Sequence, residues 1–403
     1  MFKILHLNAI SQHGLKELPK NQFRKAIPTK GDKEPLLTKK PDAVLLRSAD
    51  MHGMQVNPNL LAVARAGAGY NNIPVDKYTE QGIAVFNTPG ANANAVKELV
   101  LASLFMTARN IIPAVSWTDT LKGTKGVAAA VEKGKKVFGG SEVFGKTIGI
   151  FGLGAIGGLV ANACVSLGMH VIGHDPFLSR EAAIALSNQV NYVDDINTVL
   201  KESDFVSIHL PLTDDTRGMF NAKRFAKMKK GAVLINAARG EIVGAKAIQN
   251  AIQKKKIKNY FCDFPTDETI DISGITFTPH LGASTDEAED NCAVMAARQV
   301  KDYLKAGAVR NSVNLPKVDV NGIAPNYTRL TIVNKDIPNV LSSTLDIATA
   351  NGKNISGMAN KGNGQYAYTA IDIEGGIPKR MLNKIQKIDG VIRMRVIKPT
   401  EGR

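Results

Sequence analysis

From Gly145 to Asp175 the chain reads GKTIGIFGLGAIGGLVANACVSLGMHVIGHD, and few folds accommodate that order of residues. Residues 147–151 are a short apolar run suited to a buried parallel strand. Gly152, Gly154 and Gly157 follow in G-x-G-x-x-G spacing. Ile156, Leu159, Val160, Ala163 and Leu167 then recur at helical intervals up to Gly168, where a helix would stop. A second apolar run, 169–173, leads to Asp175, which lies 18 residues beyond Gly157. Each part has a physical reason. Gly152 permits a tight turn, Gly154 lets a pyrophosphate approach the backbone, and Gly157 lets the helix lie close to the sheet. The free N–H groups of the helix N-terminus suit phosphates, and Asp175 can accept hydrogen bonds from ribose hydroxyls. Strand, loop, helix, strand and acid together predict a dinucleotide site. The alternative is a tight βα turn in another kind of α/β protein.

A chain of 403 residues holds two or three domains, and 44% hydrophobic residues supply ordinary cores. The cysteines, Cys164, Cys262 and Cys292, show no metal-ligand spacing, and no metal is expected. Buried free thiols point to a reducing, cytoplasmic setting. The apolar start is broken by Lys3, His6 and Asn8, so no signal peptide is expected. No apolar run reaches the roughly 18 residues of a membrane span. The formal charge of +15 raises the question of nucleic acid. However, the lysines cluster at 133–136, 227–230 and 254–258 without aromatic interleaving or a zinc pattern. A solvated basic surface is the reading adopted, with no nucleic-acid and no membrane partner.

Before the glycine motif, strand runs at 44–46, 62–66 and 83–86 alternate with Gly and Pro punctuation, which predicts a separate α/β lobe. A helix is expected over 95–108, and a surface loop over 118–145. After Asp175, strands are expected at 191–193, 205–210, 232–236, 259–263 and 275–278. Strands alternating with helices imply a mostly parallel, doubly wound sheet, whose ligands lie beyond the C-terminal strand ends. Asp175, His209, Arg239, Asp263 and His280 all fall at such ends. A helix over 286–305 and a linker from 316 to about 326 precede a βαββαβ order in the last 70 or so residues, a ferredoxin-like pattern. The fold class is therefore α/β, with two Rossmann-like doubly wound domains and a ferredoxin-like C-terminal domain.

Several blocks resemble the D-isomer-specific 2-hydroxyacid dehydrogenases. They are residues 66–73 (AGAGYNNI), 85–90 (VFNTPG), the glycine motif, 236–243 (NAARGEIV) and 278–285 (TPHLGAST). The C-terminal module resembles an ACT regulatory domain. The resemblance implies an NAD-binding domain at 95–285, a discontinuous substrate-binding domain at 1–94 and 286–316, and an ACT-like domain at 327–403. It also implies a small phosphorylated 2-hydroxy acid or 2-oxo acid as substrate, and assembly as a homodimer or homotetramer.

Hydride transfer from a 2-hydroxy acid needs a base for the hydroxyl proton and a cation for the carboxylate. Of seven histidines, His280 sits on a turn just after a strand and is the acid/base candidate. His209 ends a strand inside the cofactor domain, where a structural or cofactor-lining role is expected. Arg239 can grip a carboxylate through two parallel hydrogen bonds. The resemblance places the carboxylate partner of His280 at Glu268. Thr269 stands where the family has proline, which leaves Asp267 as an alternative. By resemblance Gly152, Gly154, Ala155, Ile156, Gly157, Asp175, His209, Ala237, Ala238, Asp263, Gly282 and Ala283 border the cofactor. Arg47, Ser48, Arg65 and Gly69 are candidates for substrate contacts. In the tail a Pro338-Asn339 turn replaces the family's Pro-Gly turn. Asn334, Asp336 and Asn354 are the effector candidates, with L-serine as the candidate ligand. Two other readings stay open: a dehydrogenase for another 2-hydroxy acid, and a non-catalytic NAD-sensing protein.

Overall fold

The structure, a computed structural model, describes residues 1–399. It contains two compact units, residues 1–92 with 289–403 and residues 93–288. The strands are β1 (Phe2–His6), β2 (Phe23–Ala26), β3 (Ala43–Leu46), β4 (Ala62–Arg65), β5 (Ala84–Phe86), β6 (Thr147–Phe151), β7 (His170–His174) and β8 (Val190–Tyr192). They continue as β9 (Phe205–Ile208), β10 (Ala232–Asn236), β11 (Ile257–Cys262), β12 (Ile275–Phe277), β13 (Tyr327–Lys335), β14 (Ile355–Gly362), β15 (Tyr366–Glu374) and β16 (Val391–Ile397).

The first unit holds two sheets. The N-terminal one is parallel, in the order β2-β1-β3-β4-β5. Its strands are apolar on both faces. Ile4, Leu45, Ala64 and Phe86 join one core, while their neighbours Leu5, Val44, Leu46, Val63 and Val85 join another. A sheet buried on both sides produces this continuous apolar reading instead of alternation. The helix Asp286–Ala306 supplies Ala293, Ala297, Val300 and Leu304 to the first of these cores.

The second sheet of this unit is antiparallel, β14-β15-β13-β16. One face, with Leu330, Ile332, Ile371 and Ile373, is covered by Ala348, Met381 and Ile385 from the module's own two helices. The other face contributes Val333, Tyr368 and Ala370 to the core built around the helix Asp286–Ala306. The module is therefore not a body on a loose tether. The start of the expected linker is packed: Pro316 and Val318 are buried, and Val318 bridges to Val309. Asn339 in the Pro-Asn turn takes φ +71, the left-handed conformation that glycine adopts freely and asparagine tolerates.

The other unit contains one parallel seven-stranded sheet, β12-β11-β10-β9-β6-β7-β8. The strand order reverses between β6 and β9, and this switch point is where an open α/β sheet takes its ligand. Ile148, Val171, Val233, Ile235 and Phe261 face one core, and Phe151, Ile172, Val206, Leu234 and Tyr260 the other. The fold class expected from the sequence is thus the observed one.

Two details differ. β1 and β2 were not foreseen as strands. β2 is an edge strand with one buried residue, Phe23, so it carries no apolar run to read. Part of the loop expected at 118–145 is helical, Val127–Gly134 with a 3-10 turn Lys135–Phe138. Its alanines favour helix, but none of its side chains is buried, so it shows no apolar stripe. As expected, the cysteines are free thiols, and Cys164, Cys262 and Cys292 are all buried. Among the described residues no single helix is long and apolar enough to cross a membrane.

Candidate active site

The glycine loop connects β6 to the helix Ala155–Ser166. Its three glycines answer different demands. Gly152 has φ +88, and a Cβ there would stand 2.7 Å from the His209 carbonyl oxygen. A Cβ on Gly157 would overlap the Gly152 carbonyl oxygen. Gly154 is unlike both: its φ is −68, and a Cβ would meet nothing within 4 Å. Neither backbone strain nor internal packing requires glycine at 154. The open space above it is what a closely approaching pyrophosphate needs. Gly154 is also the N-cap and supplies no side-chain cap, so the first N–H groups of the helix face this space unclaimed by a cap. These residues fit a dinucleotide.

Asp175 follows β7 and ties the cradle together. Its carboxylate accepts from Leu153 N at 2.8 Å and from Phe177 N at 2.9 Å. Pro176 and Phe177 beside it are exposed and carry no cation. His209 follows β9 across the switch point. Its Nε2 lies 2.9 Å from Ser207 Oγ, and burial pushes the imidazole down to about 4, so it stays neutral near pH 7. Burial and the contact with Ser207 hold this ring in its neutral form.

Arg239 and His280 come from loops after β10 and β12. Asn236, fully buried at the end of β10, shapes the first loop. Its side-chain amide donates to Arg239 O at 2.8 Å and to Tyr260 Oη at 3.1 Å, and its Oδ1 accepts from Ala238 N at 3.0 Å. The second loop is anchored by Asp263, whose relative exposure is 1%. Its carboxylate accepts from Thr278 Oγ1 at 2.5 Å, Leu281 N at 2.7 Å and Gly282 N at 2.8 Å. Its carbonyl accepts from His280 N at 3.0 Å. These bonds hold His280 at φ +57, a left-handed conformation that costs a non-glycine residue about 1–2 kcal/mol. Asp263 was expected to border the cofactor, and what its carboxylate does here is fix the His280 turn.

Phe264 brings the two loops together. The His280 ring centroid lies 4.7 Å from that of Phe264, and the Arg239 guanidinium carbon 5.7 Å from it. Arg239 keeps one bond to its own loop, Nη1 to Ala238 O at 2.6 Å, and its remaining donors are available to a carboxylate. Glu268 and Asp267 sit in an exposed turn closed by Thr266 and Thr269, whose hydroxyl oxygens are 2.9 Å apart. Thr269 thus supplies turn closure where the family has proline. Among the described residues no hydrogen bond joins either carboxylate to His280.

Asn236 and Phe264 went unread in the sequence. Each had a signal: a polar residue closing an apolar strand run, and an aromatic one residue past a strand-end aspartate. Ala237, Ala238, Gly282 and Ala283 lie on the same two loops.

The remaining candidates are in the other unit. Arg47 and Ser48 follow β3, and Arg65 and Gly69 end and follow β4. The loop at 47–49 is clamped by Asn8, whose Oδ1 accepts from Arg47 N and Ala49 N, and by Asn72, which donates to Arg47 O and Ala49 O. Arg47 pairs with Glu289 at 2.7 Å, and Arg65 Nε donates to Arg47 O at 3.1 Å. The three effector candidates do not converge. Asn334 lies opposite Ala367, and Asp336 accepts from Gly364 N near that end of the sheet. Asn354 sits at the other end, donating to Glu374.

A doubly wound sheet with an uncapped glycine cradle at its switch point defines a dinucleotide-binding domain of the dehydrogenase kind. Residues 101–282 match the family described as D-isomer specific 2-hydroxyacid dehydrogenase, NAD binding domain. The chain is 37% identical over 297 residues to a D-3-phosphoglycerate dehydrogenase of Methanocaldococcus jannaschii, covering 71% of this chain and 54% of that protein. It is 31% identical over 343 residues to D-3-phosphoglycerate dehydrogenase 1 of Saccharomyces cerevisiae, covering 79% of this chain and 69% of the yeast protein. Its fold is similar to that of NAD+-bound 3-phosphoglycerate dehydrogenase from Entamoeba histolytica, with a TM-score of 0.61 and 26% identity over 78% of this chain and 98% of that one. The chain belongs to the D-isomer-specific 2-hydroxyacid dehydrogenase family. It spans between 49% and 63% of the length of several of its curated relatives.

Proposed function

We propose that the chain catalyses the NAD-dependent oxidation of 3-phospho-D-glycerate to 3-phosphohydroxypyruvate, the first step of L-serine synthesis. The observation that carries the reading is the meeting of Arg239 and His280 on Phe264, in a sheet whose glycine loop leaves room for a dinucleotide.

Bound NAD supplies the acceptor for the hydride leaving C2 of the hydroxy acid. Arg239 holds the substrate carboxylate through paired N–H donors and keeps C2 in place. His280 takes the hydroxyl proton as the C2–O bond becomes a carbonyl, and returns it in the reverse direction. Glu268 is the carboxylate assigned to orient and charge-balance His280, and Asp267 is its alternative. Phe264 covers one side of both groups and keeps water from that side. Arg47, Ser48, Arg65 and Gly69 are the candidates for further substrate contacts, some of them to the phosphate.

The C-terminal sheet is assigned as an ACT-type regulatory and assembly module in a homodimer or homotetramer. β14 is an edge strand with mostly exposed residues, so it can pair with another copy. An effector such as L-serine that touches Asn334, Asp336 and Asn354 together requires two copies of the module, because the first two lie at the opposite end of the sheet from the third.

The test is NADH oxidation with phosphohydroxypyruvate, compared with hydroxypyruvate and pyruvate. The phosphorylated keto acid should give the highest kcat/KM. Preference for an unphosphorylated one would make the chain a dehydrogenase for another 2-hydroxy acid, and no turnover with any would favour an NAD-sensing protein.

Two expectations concern the cofactor. NAD should be preferred over NADP by at least about tenfold in kcat/KM, equivalent to about 1.4 kcal/mol. Asp175 repels a 2′-phosphate, and its neighbours Pro176 and Phe177 offer no cation. Equal efficiency with NADP would refute the assignment of Asp175. Gly154→Ala should cost only about 1 kcal/mol of stability as a poorer N-cap yet weaken NAD binding by at least about tenfold, because its Cβ would occupy the open space above the loop. Gly157→Val should instead lower the melting temperature, because its Cβ meets the Gly152 carbonyl. Calorimetry of NAD binding beside thermal melts separates the two.

A further inference from the structure

Tyr260 and Cys262 lie two residues apart on β11 and turn to the same face of the sheet, and Phe264 follows at the same interval and packs on the same core. On the neighbouring strand Leu234 stands beside Tyr260 and Asn236 beside Cys262. A polar chain runs through this apolar layer. The Asn236 amide uses both of its hydrogens, one on Arg239 O at 2.8 Å and the other on Tyr260 Oη at 3.1 Å. Tyr260 Oη donates in turn to the Cys262 thiol, and Cys262 Sγ donates to Phe264 O at 3.6 Å. Burial pushes the Tyr260 phenol well up, so it stays a hydroxyl that accepts and donates at once. Tyr260 and Cys262 are each 2% exposed and Asn236 is fully buried, so bulk water does not reach these bonds.

The chain of bonds ends on two groups of the proposed chemistry. One is the backbone of Arg239, and the other is Phe264, whose ring lies against the Arg239 guanidinium and the His280 ring. Asn236 does not hold the first loop unaided. Without an acceptor at Tyr260 Oη, one of its buried N–H groups is left unpaired, a costly state. Turning the amide to relieve it breaks the bonds to Arg239 O and Ala238 N.

We propose that the Tyr260 hydroxyl is a positioning group for Arg239: it locks the Asn236 amide, and through it the loop 237–240 that aims the guanidinium at the substrate. Tyr260 acts only through Asn236. The proposal rests on the reading of Arg239 as the holder of the substrate carboxylate.

The experiment compares two phenylalanine variants of the full-length chain. Tyr260→Phe keeps the ring and nearly all of its volume, so the core stays filled and only the hydroxyl is lost. Tyr368→Phe removes a comparably buried hydroxyl in the other unit, one that donates to Gly307 O at 2.8 Å, and shows what a purely structural loss does. The first readout, hydrogen exchange by mass spectrometry, involves no turnover. In Tyr260→Phe the amides of 237–243 should exchange at least about tenfold faster while those of 278–285 keep the parental rate, and Tyr368→Phe should leave both segments unchanged. The second readout is steady-state reduction of the 2-oxo acid that the parent turns over best. Tyr260→Phe should lower kcat/KM about 10- to 100-fold, the loss expected when a binding group is misplaced, with the Kd of NADH within about twofold of the parent's. Tyr368→Phe should lower the melting temperature and leave kcat/KM in place. Parental exchange at 237–243, faster exchange throughout the sheet together with weaker NADH binding, or a parental kcat/KM in Tyr260→Phe overturns the proposal. A parent that reduces no 2-oxo acid overturns the proposed function instead, and faster exchange confined to 237–243 would then still show the Tyr260 hydroxyl holding that loop.

Discussion

His280→Asn should lower kcat by about 100- to 10,000-fold, the loss expected when a positioned acid/base is removed. Asparagine is the informative replacement because it tolerates the left-handed backbone found at φ +57. The variant should melt near the temperature of the parent and still bind NAD, since Asp263 anchors the turn through backbone N–H groups that the substitution leaves intact. Arg239→Ala should be comparably inactive. Arg239→Lys should recover little, because one ammonium cannot reproduce two parallel N–H bonds to a carboxylate. More than about a tenth of parental turnover in a folded, NAD-binding His280→Asn would remove His280 from the acid/base role. His209 would not replace it: its ring is held neutral by burial and bonded to Ser207.

Ending the chain after Pro316 should lower the melting temperature of the first unit by about 10 °C or more, a loss of several kcal/mol for a body of this size. The C-terminal sheet is bonded to that unit at several points. Tyr368 Oη donates to Gly307 O at 2.8 Å. Arg329, held by a paired bridge to Asp372 within the sheet, donates to Ala306 O at 2.8 Å. Arg395 donates to Leu304 O at 2.9 Å, with its guanidinium carbon 4.7 Å from the Tyr303 ring centroid. Arg393 donates to the carbonyls of Leu60 and Pro58. Removing the sheet would expose Tyr303 and Val309 and leave several carbonyls without their donors. A melt in which the truncated chain is as stable as the full one would show that the module is detachable, as its own βαββαβ pattern suggests. Light scattering on the same samples reads whether assembly depends on it.

The glycine loop was legible in full because every requirement there is local. A turn, a close backbone approach and a helix start are set by residues within one βαβ unit, so spacing alone conveys them. The strand-end positions of Asp175, Arg239 and His280 were legible for a related reason, since a parallel sheet puts all its C-terminal ends on one edge. β2 and the helix Val127–Gly134 were not, because they bury little and so carry no periodic pattern. The roles of Asp263 and Phe264 were missed for another reason. Each acts across loops from different strands, at separations that no local window spans.

The sequence by itself determined the fold class, the dinucleotide cradle and the residue types available for chemistry, because these rest on hydrophobic period, glycine spacing and chain order. Only the tertiary structure decided which groups meet. It placed Arg239 and His280 on one aromatic ring, committed the Asp263 carboxylate to a turn, and put Asn354 at the far end of the sheet from Asn334. It also joined the C-terminal sheet to the helix Asp286–Ala306 through one core. Strand pairing and the burial of both sheet faces set these contacts, and each depends on residues far apart in the chain whose meeting no local pattern records.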